Sequence, residues 1–348
     1  MANRPSLFVT GAVVLALLGG LAGGYSWYWY QLADGIQDGL KVWLGKRRAE
    51  GFQAEAGPIG TSGFPFDIEL TVGVAVLGRG TPNQARSWHW QGRQLQARLS
   101  PFEPWRIHLA TRAAQNMTFT ESPGKPKKLR VQADDARGVI EIGPDGRLAR
   151  ILTEFEIIGL SGNALPGPVA AQHLTMESRL RGADANYAID VSLQADAVQL
   201  PANTDPVLGD AVDVARLDAT LSGPPPRSWA DPAIRAWRDD GGTIDVTRAR
   251  IKWGPLDATS VGTIALDQEM RPLISATAGL KDYDKTIKAY KKAAFITPLN
   301  AAALTIALNM LRRDAEGRIK IAVTGQNGRL KVGPVNVARL RPLRFPAE

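Results

Sequence analysis

The chain has no cysteine, which excludes disulfides, thiolate metal ligands and cysteine nucleophiles and leaves stability to packing. Histidine is almost as scarce, with only His89, His108 and His173, and no two of them have the spacing of a zinc site. His89 and His108 alternate with Trp88, Trp90, Trp105 and Ile107 and are expected to point to solvent. No Gly-x-Ser-x-Gly turn occurs, and no Gly-Lys-Ser/Thr follows Gly57, Gly60 and Gly63. The carboxylate pairs Asp134-Asp135 and Asp239-Asp240 read as solvated loop residues. The chain is therefore expected not to be an enzyme, and no catalytic, cofactor-binding or metal-binding residue is assigned.

Long apolar runs are also rare. One exists, Leu7 to Gly24, inside a stretch from Pro5 to Ala33 that carries no charge. It approaches the roughly 20 residues a helix needs to cross a bilayer. Tyr25, Trp27, Tyr28, Trp29 and Tyr30 follow it, and such rings favour a membrane interface. A single-pass inner-membrane anchor with the bulk of the chain in the periplasm is the expectation. The competing reading is a cleaved signal peptide, with Leu7–Leu18 as its apolar part and Ala22, Gly23 and Gly24 as small residues for a peptidase. Arg4 alone marks the N-terminal flank with a side-chain charge. Ala12, Ala16, Gly20 and Gly24 recur every fourth residue, a possible packing face for a second membrane helix, although such residues are common in membrane helices anyway. The helical pattern continues through Trp29, Leu32, Ala33, Ile36, Leu40, Trp43 and Leu44 and should stop near Gly51, with Lys46, Arg47 and Arg48 in the last turn.

What is abundant beyond residue 50 is alternation. Ile68, Leu70, Val72, Val74 and Val76 alternate with more polar or smaller residues, as do Trp105, Ile107 and Leu109, then Tyr187, Ile189, Val191 and Leu193, then Ile319, Ile321 and Val323. A period of two marks strands with one buried face, and helical crossovers that would join parallel strands are missing until late in the chain. The reading is mainly β: an N-terminal transmembrane helix, then a large curved antiparallel meander with a few helices packed on its concave face. Ile68, Leu70, Val72, Val74, Ile189, Val191 and Leu193 are the candidate apolar-ligand or core face.

Gly143 to Gly146, Gly254-Pro255 and Gly333-Pro334 punctuate the strands. The last two lie in a weak internal echo, Lys252–Leu256 against Lys331–Val335, which either marks equivalent strand corners or is coincidence. Three consecutive prolines, Pro224 to Pro226, in Gly223–Pro232 suggest a boundary. The organisation expected is 1–50 anchor and amphipathic helix, 51–222 first β-rich part, and 223–348 second β-rich part with two packed helices, the two parts being separate or one continuous sheet. A short helix is expected from an Asp231 N-cap. A second should bury Tyr283, Ile287, Tyr290 and Ala294 and show Lys281, Lys285, Lys288 and Lys292. A third, capped by Thr297, should run to about Arg313 and pack deeply, because it has little polar surface.

The net charge of +8 favours anionic partners, phospholipid headgroups among them. Basic residues are interspersed with acidic ones, and nucleic acid is not expected as a partner. The N-terminal apolar helix, the Trp-rich helix after it, the Gly63-Phe64-Pro65-Phe66 motif and the Trp253-Gly254-Pro255 region together resemble the proteobacterial family catalogued as domain of unknown function 2125. The likeness spans nearly the whole chain. More distantly, the plan resembles AsmA-like envelope proteins, whose association with lipid movement and outer-membrane assembly implies binding or guiding of acyl chains near the inner membrane. A scaffold or assembly factor for envelope proteins is the alternative. Ligand, partner and oligomeric state do not follow from the sequence.

Overall fold

The structure, a computed structural model, describes residues 7–81, 83–182, 187–223, 226 and 230–345, and the side chains of these except residues 7–14, 16 and 337. The fold is mainly β, antiparallel throughout the pairings given below, with four helices among the described residues. It divides into two units, Met1–Lys128 and Leu129–Glu348.

In the first unit, α1 (Leu7–Ala49) is one continuous helix. It ends two residues before Gly51, whose φ of 85° suits a residue without Cβ. Among the described residues no helix is long and apolar enough to cross a membrane. Arg4 lies outside the described residues, as do the side chains of Ala12 and Ala16. Around Gly20 and Gly24 there is open space, since a Cβ added at either would meet nothing within 4 Å.

Beyond the helix, β3 (Ile68–Arg79) carries β1 (Phe52–Ala56) and β2 (Ile59–Ser62) along one edge and β4 (Ser87–Ser100) along the other. The far edge of β4 is shared by β5 (Glu103–Thr111) and β6 (Gln115–Thr120). Trp29 and Ala33 of α1 are buried against Ile68 and Leu99, with Tyr25, Leu32, Ile36 and Ile107 around them. The helical period seen in the sequence thus marks a packed face, except that Trp43 stays exposed.

The second unit is a meander in which each strand pairs with the next. Its strands are β7 (Pro126–Ile142), β8 (Leu148–Ser161), β9 (Val169–Arg181), β10 (Ala188–Gln199), β11 (Ala211–Ser222), β12 (Thr243–Trp253), β13 (Leu256–Leu266), β14 (Pro272–Lys281), β15 (Ile319–Gln326), β16 (Arg329–Val332) and β17 (Val335–Arg339). Half of the proline-rich stretch lies outside the described residues, and the strands on either side of it, β11 and β12, are hydrogen-bonded neighbours.

The helices of this unit are α2 (Asp231–Asp239), α3 (Tyr283–Lys292) and α4 (Pro298–Asn309). Ala230, not Asp231, is the N-cap of α2, and Asp231 instead pairs with Arg235 one turn on. Tyr283 and Ile287 of α3 and Ala301 of α4 form a buried cluster with Ile319 and Ile321, packed by Leu280, Leu308 and Val332. Thr297 caps α4 as expected, its hydroxyl accepting from the Asn300 N–H at 3.2 Å. The helix is not deeply packed, however: Ala301 is its only buried residue among those described.

Candidate apolar sheet face

The registers of β8 to β15 decide which side chains share a face, because directly opposed residues point the same way. Ile189 lies opposite Leu180 on one side and Leu221 on the other, and the row continues through Ile244 and Ile264 to Ile274. Two residues along, Val191 is flanked by Ser178 and Ala219; the next row sets Leu193 between Met176 and Leu217. A fourth row runs Phe155, Leu174, Ala195, Ala215, Ile251 and Ala258, and ends on Leu280 and Ile319. Nearly every member of these rows is apolar. Single strands showed only alternation; the pairing turns it into one continuous surface.

Helices α3 and α4 cover this surface at its C-terminal strands, through Leu280, Ile319, Ile321 and Val332. Toward β9–β11 the cover ends. Met176, Val191 and Leu217, on three neighbouring strands, are 38, 39 and 37% exposed, where a packed core would leave almost none of such side chains in water. Ile189 and Leu193 beside them are half-buried.

The opposite face is polar in the same register. Arg150, Arg179, Asp190, Thr220, Asp245 and Thr263 form one row across six strands. Arg150 donates to Glu177 at 2.6 Å and to Glu141 at 3.4 Å, Arg181 and Thr220 donate to Asp190 at 2.6 and 2.8 Å, and Ser192 donates to Asp218 at 2.5 Å. Burial works against the charged form of Glu177, but hydrogen bonds from Arg150 and Arg179 outweigh it and hold the carboxyl below its ordinary pKa. Asp190 and Asp218 are lowered in the same way, against burial, by Arg181 with Thr220 and by Ser192 with Arg216.

The candidate residues of the first unit divide differently. Ile68 and Leu70 are buried, Val72 is half-buried and Val74 is exposed, so the start of β3 is spent on packing against α1. The aromatic cluster of α1 is also partly spent. Trp29 donates its indole N–H to the Asp67 carbonyl at 3.1 Å, the Tyr25 hydroxyl bonds the Pro65 carbonyl, and the Tyr28 hydroxyl reaches the Pro101 carbonyl at 3.1 Å. Tyr30 stacks on Phe64, centroids 5.8 Å apart, and Tyr25 on Phe102 at the same separation. The Gly63–Phe66 motif is therefore a docking turn for the helix, in which Gly63 (φ 101°) has no room for a Cβ beside the Asp67 carbonyl.

Two further expectations fail. Trp105 and Leu109 are exposed, not core-facing. His108 and His173 do face solvent, whereas both ring nitrogens of His89 are buried without a hydrogen-bond partner; the ring lies against Gly78, where a Cβ would come within 2.5 Å of it. A hollow of about 280 Å³ beside β4 and β5 does bring Ser100, His108, Asp67 and Glu103 to one wall. Ser100 there accepts from the Phe102 N–H at 3.3 Å, so its oxygen serves the turn.

Residues 29–341 match the family described as "Uncharacterized protein conserved in bacteria (DUF2125)". The chain belongs to that family. The match begins at Trp29, the residue that docks α1 onto the first sheet, and takes in all of the apolar face of the second unit in this DUF2125 protein. No curated protein matches the chain, and no solved structure does.

Proposed function

We propose that this DUF2125 protein is a non-enzymatic protein of the bacterial envelope that holds or guides an apolar chain, such as the acyl chain of a lipid, on the uncovered part of its second sheet. In this reading Leu7–Gly24 anchors it in the inner membrane, the rest lies in the periplasm, and the apolar face is the concave side of a curved sheet. One observation carries the proposal: rows of apolar side chains cross the sheet, yet Met176, Val191 and Leu217 remain more than a third exposed. Leaving such surface in water costs about 25 cal/mol per Å², so an apolar ligand would gain by covering it, and the charged groups are confined to the other face.

The test is mass spectrometry of lipid co-purifying with the full chain, together with binding of a fluorescent fatty acid. Val191→Asp and Leu217→Asp together should abolish both, while the strand signature in circular dichroism persists. Absence of lipid and of probe binding in the unaltered chain would end the proposal.

A further inference from the structure

Helix α4 has two apolar faces, and the fold uses one of them. Ala301 and Leu308 face the cluster built with Tyr283, Ile287 and Ile319. Leu299, Ala303, Ile306 and Met310 follow at i, i+4, i+7 and i+11, which stacks them along the opposite side. That side is open: Leu299 is 78% exposed, Ile306 64% and Met310 83%. An exposed apolar stripe of this size marks a contact surface.

Charge indicates what covers it. Phe295, itself exposed, precedes the helix, and Lys288, Lys291 and Lys292 on α3 precede Phe295; Arg312 follows the helix, and all four cations are exposed. The described residues of α4 carry no charge at all. An uncharged apolar stripe bracketed by cations complements an anionic bilayer surface, where acyl boundary and phosphates lie within a few ångströms of each other.

We infer that the α3–α4 hairpin is a membrane-contact element. The Leu299–Met310 stripe dips into the headgroup–acyl boundary of an anionic phospholipid leaflet, and Lys291, Lys292 and Arg312 meet its phosphates. This contact is separate from the sheet face and from the N-terminal apolar run, and it holds whether or not either acts as proposed.

The absence of native cysteine makes the test direct. The full chain carrying Ile306→Cys, labelled with an environment-sensitive nitrobenzoxadiazole dye, is mixed with vesicles of phosphatidylcholine alone or with 30% phosphatidylglycerol, a composition chosen on the order of natural anionic leaflets. The label should shift to the blue and be quenched by shallow nitroxide lipids on the anionic vesicles, and a label at Ser275→Cys on the polar sheet face should not respond. Lys291→Glu with Lys292→Glu should weaken that response about tenfold. Equal emission at Ile306 with and without anionic vesicles overturns the inference. So does a blue shift that appears without lipid and grows with protein concentration, which would assign the stripe to a second copy of the chain.

Discussion

Arg318 reaches over β14 to Asp257 on the strand beyond: Nη1 donates to Oδ1 at 3.0 Å and to the backbone carbonyl at 3.4 Å, with 8% of the Arg318 side chain exposed and 18% of that of Asp257. The arginine passes Gly279, where a Cβ would lie 3.5 Å from its Cδ. Removing Arg318 leaves Asp257, in a poorly hydrated place, with only the longer 3.9 Å contact to Arg250. Arg318→Ala should cost about 3–5 kcal/mol, as for a broken buried pair, and Arg318→Met with Asp257→Leu clearly less. Urea titration of each variant measures the difference; equal losses would mean the pair does not act as a unit.

The internal echo in the sequence proves to be structural. Trp253 pairs with Leu256 and Val332 with Val335, so each Gly-Pro is a two-residue hairpin corner, with φ of 52° at Gly254 and 57° at Gly333. Either glycine replaced by alanine meets left-handed strain of about 1–2 kcal/mol. Gly254→Ala should lose considerably more, because its Cβ would come 2.4 Å from the Leu208 carbonyl, whereas at Gly333 the nearest atom is an Ile321 methyl at 3.7 Å. Thermal unfolding of the two variants should rank them in that order.

The carboxylates of the second unit fix its response to acid. Glu177, Asp190, Asp218 and Asp267 all titrate below their ordinary values in the folded chain. A lowered folded pKa contributes stability that is present above the unfolded pKa, near 4, and is lost as pH falls through the folded one. Denaturant midpoints should therefore be flat from about pH 7 to pH 5 and drop below about pH 4. Glu177→Gln should flatten part of that drop, and an unchanged acid limb would show that its arginine contacts add nothing.

Trp29 is 3% exposed and binds the Asp67 carbonyl as well as packing on the sheet. Trp29→Phe keeps most of the ring but removes the donor, and should cost about 1–3 kcal/mol. Trp29→Ala also empties the cluster, raising the loss to about 3–5 kcal/mol. Chemical denaturation of the first unit, followed by aromatic circular dichroism, separates the two.

Much of this molecule was legible from local pattern. Alternation at Tyr187–Leu193 and Ile319–Val323 reports strands because a period of two is a property of the strand itself, and Thr297-Pro298 reports a helix start because the cap lies within four residues. What failed had distant causes. His89 alternates with two tryptophans like any solvent-facing residue, yet it is covered because Gly78, eleven residues earlier, leaves room for its ring. The partners of Tyr25 and Trp29 were equally out of reach of local pattern, since they are backbone carbonyls of the Gly63–Asp67 turn some forty residues on.

The sequence by itself determined that the chain is mainly β, where its strand-rich segments and helix starts fall, and, through the Gly63–Phe66 and Trp253–Pro255 motifs, the family it resembles. Tertiary structure decided which apolar residues become core and which become surface. Ile68 and Val74 are equivalent in the pattern of one strand, but the first lies under α1 and the second does not; the same holds for Ala301 and Ile306 on α4. Periodicity states that a face exists, whereas burial depends on whether another element reaches that face, and this is settled by contacts between residues far apart in the chain.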